Sequence, residues 1–269
     1  MIYALIYHDV APVEHRESVG FAGPLAARYK LDPADFEDHL AAIAATGARV
    51  GLMTRAPAPT AVITFDDGGA SALLAAEMLE RHGFRGHFFI ATSRIGTSGF
   101  LDAAGVAELA SRGHAVGSHS HSHPTYMGRL ERDQILEEWK RSRAVLADLL
   151  GAPPATASVP GGFLSREVVS AAAEAGFELL MTSEPTSRLR RHDGLTVAGR
   201  YTIWSTTQAA TAAAFARGAP LARARLWVEW NAKKQAKRVS PKVYQSLRRV
   251  RARSSGRKKT LERSQDRGN

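Results

Sequence analysis

Two short stretches carry residues whose types and spacing suit them to chemistry. Thr64-Phe65-Asp66-Asp67-Gly68-Gly69 sets two carboxylates side by side after an apolar run. Adjacent carboxylates raise each other's pKa, a cost that a cation bound by one of them relieves. The paired glycines let such a turn bring both toward one centre. The same residues also read as an Asp-Gly turn with an aspartate capping the next helix. Gly117-Ser118-His119-Ser120-His121-Ser122-His123-Pro124 crowds three of the chain's ten histidines into five residues, which packing does not explain. His119 and His123 stand four apart, so one helical turn puts both rings on one side and turns His121 toward solvent or a supporting role. Neutral imidazole is a common zinc ligand, and two histidines with one carboxylate leave a position open for water. A solvated polar loop is the alternative.

The elements that must position these residues alternate along the chain. Strands are predicted at Ile2–Tyr7, Ala61–Phe65, Gly86–Ala91, His114–Gly117, Thr156–Val159 and Glu178–Thr182, with Val197–Ile203 the last. Helices are predicted between them, from an Asp32 or Asp35 cap to Gly47, then at Ser71–His82, Ala103–Ser111, Leu130–Leu150 and Arg166–Ala175. Repeated strand-then-helix units imply a mainly parallel sheet with helices outside it. No Gly-x-Gly-x-x-Gly follows the first strand, so a barrel fits better than a doubly wound sheet. Both motifs sit just after strands, where βα barrels place their sites.

In this order, the two motifs make the chain resemble the polysaccharide deacetylases (NodB-homology proteins, carbohydrate esterase family 4). The resemblance rests on TFDDG at 64–68 and GHAVGSHSHSHP at 113–124, with a weaker third match at Ser158-Val159-Pro160-Gly161-Gly162. It spans most of residues 1–203, including Tyr7-His8-Asp9-Val10. It implies an α/β fold, a distorted (β/α) barrel of about seven strands. It also implies a metal-dependent hydrolase removing an N-acetyl or other N-acyl group from an amino sugar of a polysaccharide or glycolipid. By that resemblance Asp66 is the general base, and Asp67, His119 and His123 hold a divalent metal, zinc above others. A zinc-like ion activates water and polarises the acyl oxygen. Backbone N–H groups of the Pro160-Gly161-Gly162 turn are the expected donors to the oxyanion.

The chain departs from the family pattern in two places. Ser158 and Gly161 stand where the third motif has an arginine and an aromatic residue, so the guanidinium expected to hold the base ionised and aimed is missing from that motif. The family's late histidine has no match, His192 being the one histidine after residue 182 and reading as a loop. His8, at the end of the first strand, is the better-placed general acid, or else a buried histidine beneath the site. These departures leave room for a catalytically impaired barrel that binds a carbohydrate or protein partner. A related deformylase or amidohydrolase using His119 and His121 is a further alternative.

The charge is uneven. Residues 219–269 hold 16 of the 36 Lys and Arg against three of the 26 acids, a net of +13, which leaves 20 against 23, or −3, for the rest. The expected organisation is a barrel over 1–205, a basic amphipathic helical extension over 206–253 and a disordered basic tail over 254–269. Leu221, Leu226, Trp227, Val228 and Trp230 alternate with Arg223, Arg225, Lys233, Lys234, Lys237 and Arg238, the composition of an interfacial helix. An anionic membrane surface met through residues 219–259 is therefore an expected partner beside the N-acetylated carbohydrate, and nucleic acid is not. The absence of cysteine excludes disulfide scaffolds, thiolate-held zinc and cysteine nucleophiles. MIYALIYHDV lacks a basic n-region and a cleavage site, and no long apolar run follows. The expectation is a cytoplasmic protein, peripheral at the inner face of the membrane.

Overall fold

Ala61–Phe65 and His87–Ile90 are buried at every position, the mark of strands covered on both faces in a parallel sheet. The computed structural model describes residues 1–53, 58–162 and 164–239, with the backbone alone from 233 onward. Among these residues one sheet contains nine strands: β1 (Tyr3–Tyr7), β2 (Ala61–Phe65), β3 (His87–Ile90), β4 (Ala115–Ser118), β5 (Thr156–Ser158), β6 (Leu179–Met181), β7 (Arg190–His192), β8 (Leu195–Ala198) and β9 (Tyr201–Thr202). Helices α1 (Pro33–Ala44), α2 (Ala72–Arg81), α3 (Ala103–Ser111), α4 (Arg132–Leu150), α5 (Arg166–Glu174), α6 (Ala209–Ala216) and α7 (Pro220–Val239) accompany it.

The strand order is β7-β8-β6-β5-β4-β3-β2-β1-β9, and only the β7–β8 pairing is antiparallel. β8 and β9 lie toward opposite ends of this order, yet only Gly199 and Arg200 separate them in the chain. Three residue steps reach about 10 Å at most. The sheet must therefore curl until its ends nearly meet, the distorted barrel the sequence implied, with no ladder between β8 and β9.

The single last strand expected over Val197–Ile203 is thus two strands. The break falls at Gly199, where a Cβ would lie 2.3 Å from the Glu184 carbonyl oxygen. His192, expected in a loop, lies in β7 and pairs with Leu195 across a tight Asp193-Gly194 turn, both residues at positive φ. That hairpin and the split raise the strand count from about seven to nine.

The helices follow their local signals. Asp32 caps α1 by accepting from the Ala34 N–H, and Phe36, Leu40 and Ile43 form its buried face. A Glu131–Gln134 capping box opens α4, and left-handed Gly151 closes it.

The expected boundary near 205 shifts, because α6 belongs to the barrel body. Its Ala212, Phe215 and Ala216 are buried, and Phe215 stacks on Tyr201 with ring centroids 5.2 Å apart. The extension is α7. Arg223 anchors its start, donating to the Tyr201 hydroxyl at 3.0 Å, while Leu221, Trp227 and Val228 stay exposed. Residues 240–259 of the expected membrane-facing segment and the whole tail 254–269 lie outside the described residues. Among the described residues no helix is long and apolar enough to cross a membrane.

Candidate active site

With the barrel strands parallel, their C-terminal ends gather on one side, and Asp66 and Asp67 follow directly on β2. Asp67 has φ 81°, a left-handed conformation that costs an ordinary residue of order 1–3 kcal/mol and is kept where the surroundings enforce it. Its carbonyl accepts from Ala91 N–H, and the Gly68 carbonyl accepts from Leu101 N–H, so the turn is tied to the end of β3 and beyond. Gly69 leaves room for Asp9, since a Cβ there would lie 2.0 Å from the Asp9 carboxylate and force it to move. Asp9 is itself buried, and Ser71 donates to it at 2.9 Å. Burial pushes its carboxyl up to about 6.

The histidine motif follows β4 as an irregular loop and not as the helical turn its spacing suggested. Ser120 and His123 both take left-handed backbone conformations, φ 62° and 58°. The intervening serines are ties: Ser118 Oγ accepts from Ser120 N–H, and Ser120 Oγ accepts from His123 N–H. Glu138 of α4 accepts from the N–H groups of His121 and Ser122 at 2.9 and 2.8 Å and from the Ser122 hydroxyl at 2.6 Å. His121 turns away to Thr92, 2.9 Å from its hydroxyl, in the supporting role the sequence suggested. His119 and His123 turn inward, ring centroids 5.0 Å apart, with Nε2 atoms 3.4 and 3.3 Å from Asp67 Oδ1.

Asp66 points to the same centre from the other side, 4.0 Å from His119 Nε2. The guanidinium missing from the third motif comes from elsewhere. Arg200, fully buried at the β8–β9 break, donates from Nη1 to Asp66 Oδ1 at 2.7 Å and from Nη2 to Oδ2 at 2.9 Å. It also donates to the Thr64 hydroxyl and the Thr182 carbonyl, so it spans the open seam of the barrel. Burial alone would push the Asp66 carboxyl up, but the Arg200 charge and then His119 hold it below the usual carboxylate range. Ser158 is therefore no simple loss. Its hydroxyl donates to Asp66 Oδ1 at 3.1 Å and lies 2.5 Å from His119 Nδ1. With that proton committed to Asp66, Ser158 Oγ accepts from His119 Nδ1–H, and Nε2 is the ring nitrogen turned toward Asp67.

His8 also reaches the site. Its Nδ1 is shut from solvent without a hydrogen-bond partner among the described residues, and its ring lies tilted against Tyr29 with centroids 4.5 Å apart. Burial lowers its pKa, against the charges of Asp67 and Asp66, which raise it. The Pro160–Gly162 turn follows β5 directly. Pro160 is buried, and Gly161 and Gly162 are left-handed at φ 62° and 69°.

Asp67, His119 and His123 form a group of one carboxylate and two imidazoles whose ligand atoms lie within 4.8 Å of one another. Burial would raise the Asp67 carboxyl, but hydrogen bonds from His119 and His123 hold it well below the ordinary range. Two neutral nitrogens and one anionic oxygen, with the second nitrogen of His119 already fixed, fit a divalent metal of the zinc kind. Sequence reasoning missed Arg200 and Glu138. Nothing local marks either one, and only the barrel's closure and the packing of α4 bring them in.

Comparison with known proteins agrees with this geometry. Residues 53–180 match the polysaccharide deacetylase family model, a segment that contains Asp66, Asp67, both inward histidines and Ser158 but neither His8 nor Arg200. The chain is 30% identical over 126 residues to the peptidoglycan-N-acetylglucosamine deacetylase PgdA of Listeria monocytogenes, covering 46% of this chain and 25% of that protein. It thus spans about a quarter of the length of the curated relatives it matches. A polysaccharide deacetylase from Bacillus cereus is similar in fold, with TM-score 0.68 and 20% identity over 80% of this chain and 68% of that one. IcaB from Ammonifex degensii is similar too, with TM-score 0.66 and 22% identity over 80% of this chain and 97% of that one.

Proposed function

We propose that this chain, whose residues 53–180 match the polysaccharide deacetylase family model, hydrolyses the N-acyl amide, an N-acetyl group above others, of an amino sugar. The observation that carries the proposal is the junction of two devices around His119: a carboxylate held ionised by Arg200, and an Asp67–His119–His123 ligand set beside it. Asp67, His119 and His123 would hold a divalent metal, zinc by donor type, and that ion supplies polarisation of the acyl oxygen and an acidified water. Asp66 takes the proton from the attacking water, with Arg200 and Ser158 fixing both of its oxygens. Backbone N–H groups of the Pro160-Gly161-Gly162 turn face the developing oxyanion. His8, once protonated, gives a proton to the departing amine; the Asp67 and Asp66 charges favour its protonated form against burial, which lowers its pKa.

The test is acetate release from N-acetylated amino sugars by zinc-loaded protein, with metal content measured in parallel. Asp66→Asn is expected to keep the metal and lose turnover, whereas Asp67→Ala and His123→Ala lose the metal as well. Protein that binds no metal and releases no acetate from any amino sugar would refute the reading.

Attachment to an anionic membrane is a second part of the proposal, supported by the exposed Leu221, Trp227 and Val228 of α7. Its test is co-sedimentation of the full chain with phosphatidylglycerol vesicles. Trp227→Glu with Val228→Glu is expected to reduce it, and unchanged sedimentation would refute the attachment.

A further inference from the structure

Two arginines beside the site differ from those that brace the fold. Arg81, Arg112, Arg132 and Arg190 each reach a glutamate, and Arg200 holds Asp66. Arg28 and Arg94 have no carboxylate within ion-pair distance and no side-chain hydrogen bond among the described residues; each lies instead over aromatic rings. The Arg28 guanidinium carbon sits 4.9 Å over the ring of Trp204, and that of Arg94 sits 5.2 Å over Phe21 and 6.0 Å over Phe100. The Arg94 Nε is shut from solvent with no partner among the described residues.

Both arginines end a chain of tilted ring contacts that starts in the site. From His8 the contacts run to Tyr29 at 4.5 Å, then to Trp204 at 4.6 Å, then to Arg28. From His123 they run to Phe21 at 4.7 Å and then to Arg94. One cation thus lies beyond the proposed acid and the other beyond a candidate metal-binding histidine. A guanidinium held over a ring by cation–π attraction uses none of its N–H groups in that contact, and its planar fork matches a carboxylate or a phosphate. The chain leaves both forks unanswered within its own described residues, although acidic side chains satisfy comparable arginines elsewhere.

We propose that Arg28 and Arg94 are specificity residues that select an amino-sugar substrate bearing an acidic group, a carboxylate or a phosphate, next to the unit that is deacylated. The proposal rests on the deacetylase reading and adds the substrate's charge to it. The acidic group of a neighbouring unit or substituent meets a guanidinium while the N-acyl group lies at Asp66.

The experiment compares three probes of matched size on the full zinc-loaded chain: N,N′-diacetylchitobiose (chitobiose for short), its 1-phosphate, and the N-acetylglucosaminyl–N-acetylmuramic acid disaccharide with its lactyl carboxylate. Acetate release is measured for each, and binding of each to the Asp66→Asn protein is measured by calorimetry. One or both anionic probes are expected to exceed chitobiose by about tenfold or more in kcat/KM, the worth of one charge-assisted contact. The stronger of the two tells whether the selected group is phosphate or carboxylate. Arg94→Gln and Arg28→Gln are each expected to reduce the anionic-to-neutral ratio by a similar factor, mainly through KM. Arg94→Lys keeps the charge without the fork and should restore the ratio only in part. Equal kcat/KM for the three probes, or a ratio unmoved by both glutamine variants, overturns the proposal. Absence of acetate release from every probe overturns the deacetylase reading instead, and calorimetry then decides the anion preference alone. Equal binding, or no binding, of the three probes counts against it.

Discussion

Arg200 grips both carboxylate oxygens of Asp66, at 2.7 and 2.9 Å, from a strand break 134 residues further along the chain. The pairing is fully buried, bidentate and directly beside the Asp67–His119–His123 group, so it combines the two strongest features of an arginine–carboxylate contact, geometry and desolvation.

Removing one member of such a pair leaves the other charge buried alone. Arg200→Ala is expected to lower stability by about 3–5 kcal/mol, measured by urea unfolding. Arg200→Lys keeps a charge but loses the fork. It should unfold less readily than the alanine variant, bind metal normally by elemental analysis, and show kcat reduced about a hundredfold with little change in KM.

Returning an arginine to the third motif should not restore a family-like site. Ser158 is fully buried, and its hydroxyl already bridges Asp66 and His119. Ser158→Arg would press a second guanidinium against Arg200, and thermal unfolding should show a loss of at least about 3 kcal/mol. Ser158→Ala is the milder change, expected to cost about 1–3 kcal/mol and to weaken metal binding by releasing the His119 ring.

Glu138 is expected to matter for metal binding although it never touches the metal group. Its carboxylate takes three hydrogen bonds from the loop that carries His119 and His123. Glu138→Ala should weaken zinc affinity by about tenfold in a chelator competition, the size of effect expected when support behind a ligand is removed. Glu138→Gln keeps an acceptor and should fall between the two.

Asp9 makes a pH prediction whose sign can be worked through. Its folded pKa is raised from 3.8 to about 6, so the folded state holds this proton more tightly than the unfolded state. Its contribution to stability is fully present below about pH 4 and is lost as pH rises through about 6, an amount of order 3 kcal/mol. Asp9→Asn removes the titration while keeping an acceptor for Ser71. The difference in unfolding free energy between pH 4 and pH 8 should change by roughly that amount between the wild-type protein and the variant. An identical pH dependence in both would show that Asp9 does not titrate in this window.

Much of the molecule was legible along the chain because the forces that shape it are local or periodic. The strand before Asp66, the capped helix after Asp32 and the glycine that ends α4 follow from burial patterns, capping groups and left-handed turns within a few residues. The candidate metal group was legible for a related reason: Asp67, His119 and His123 are of ligand types, and parallel strands bring their C-terminal ends to one side whatever the register. Only the tertiary structure decided how Asp66 is held. Local patterning carries no sign that Val197–Ile203 splits at Gly199, sends β8 to one end of the sheet and β9 toward the other, and leaves Arg200 in the gap facing residue 66. A missing motif arginine and a present one far away look unrelated in one dimension. The curling of the sheet makes them equivalent, because a buried carboxylate needs a cation at its oxygens and any element that can reach them can supply it.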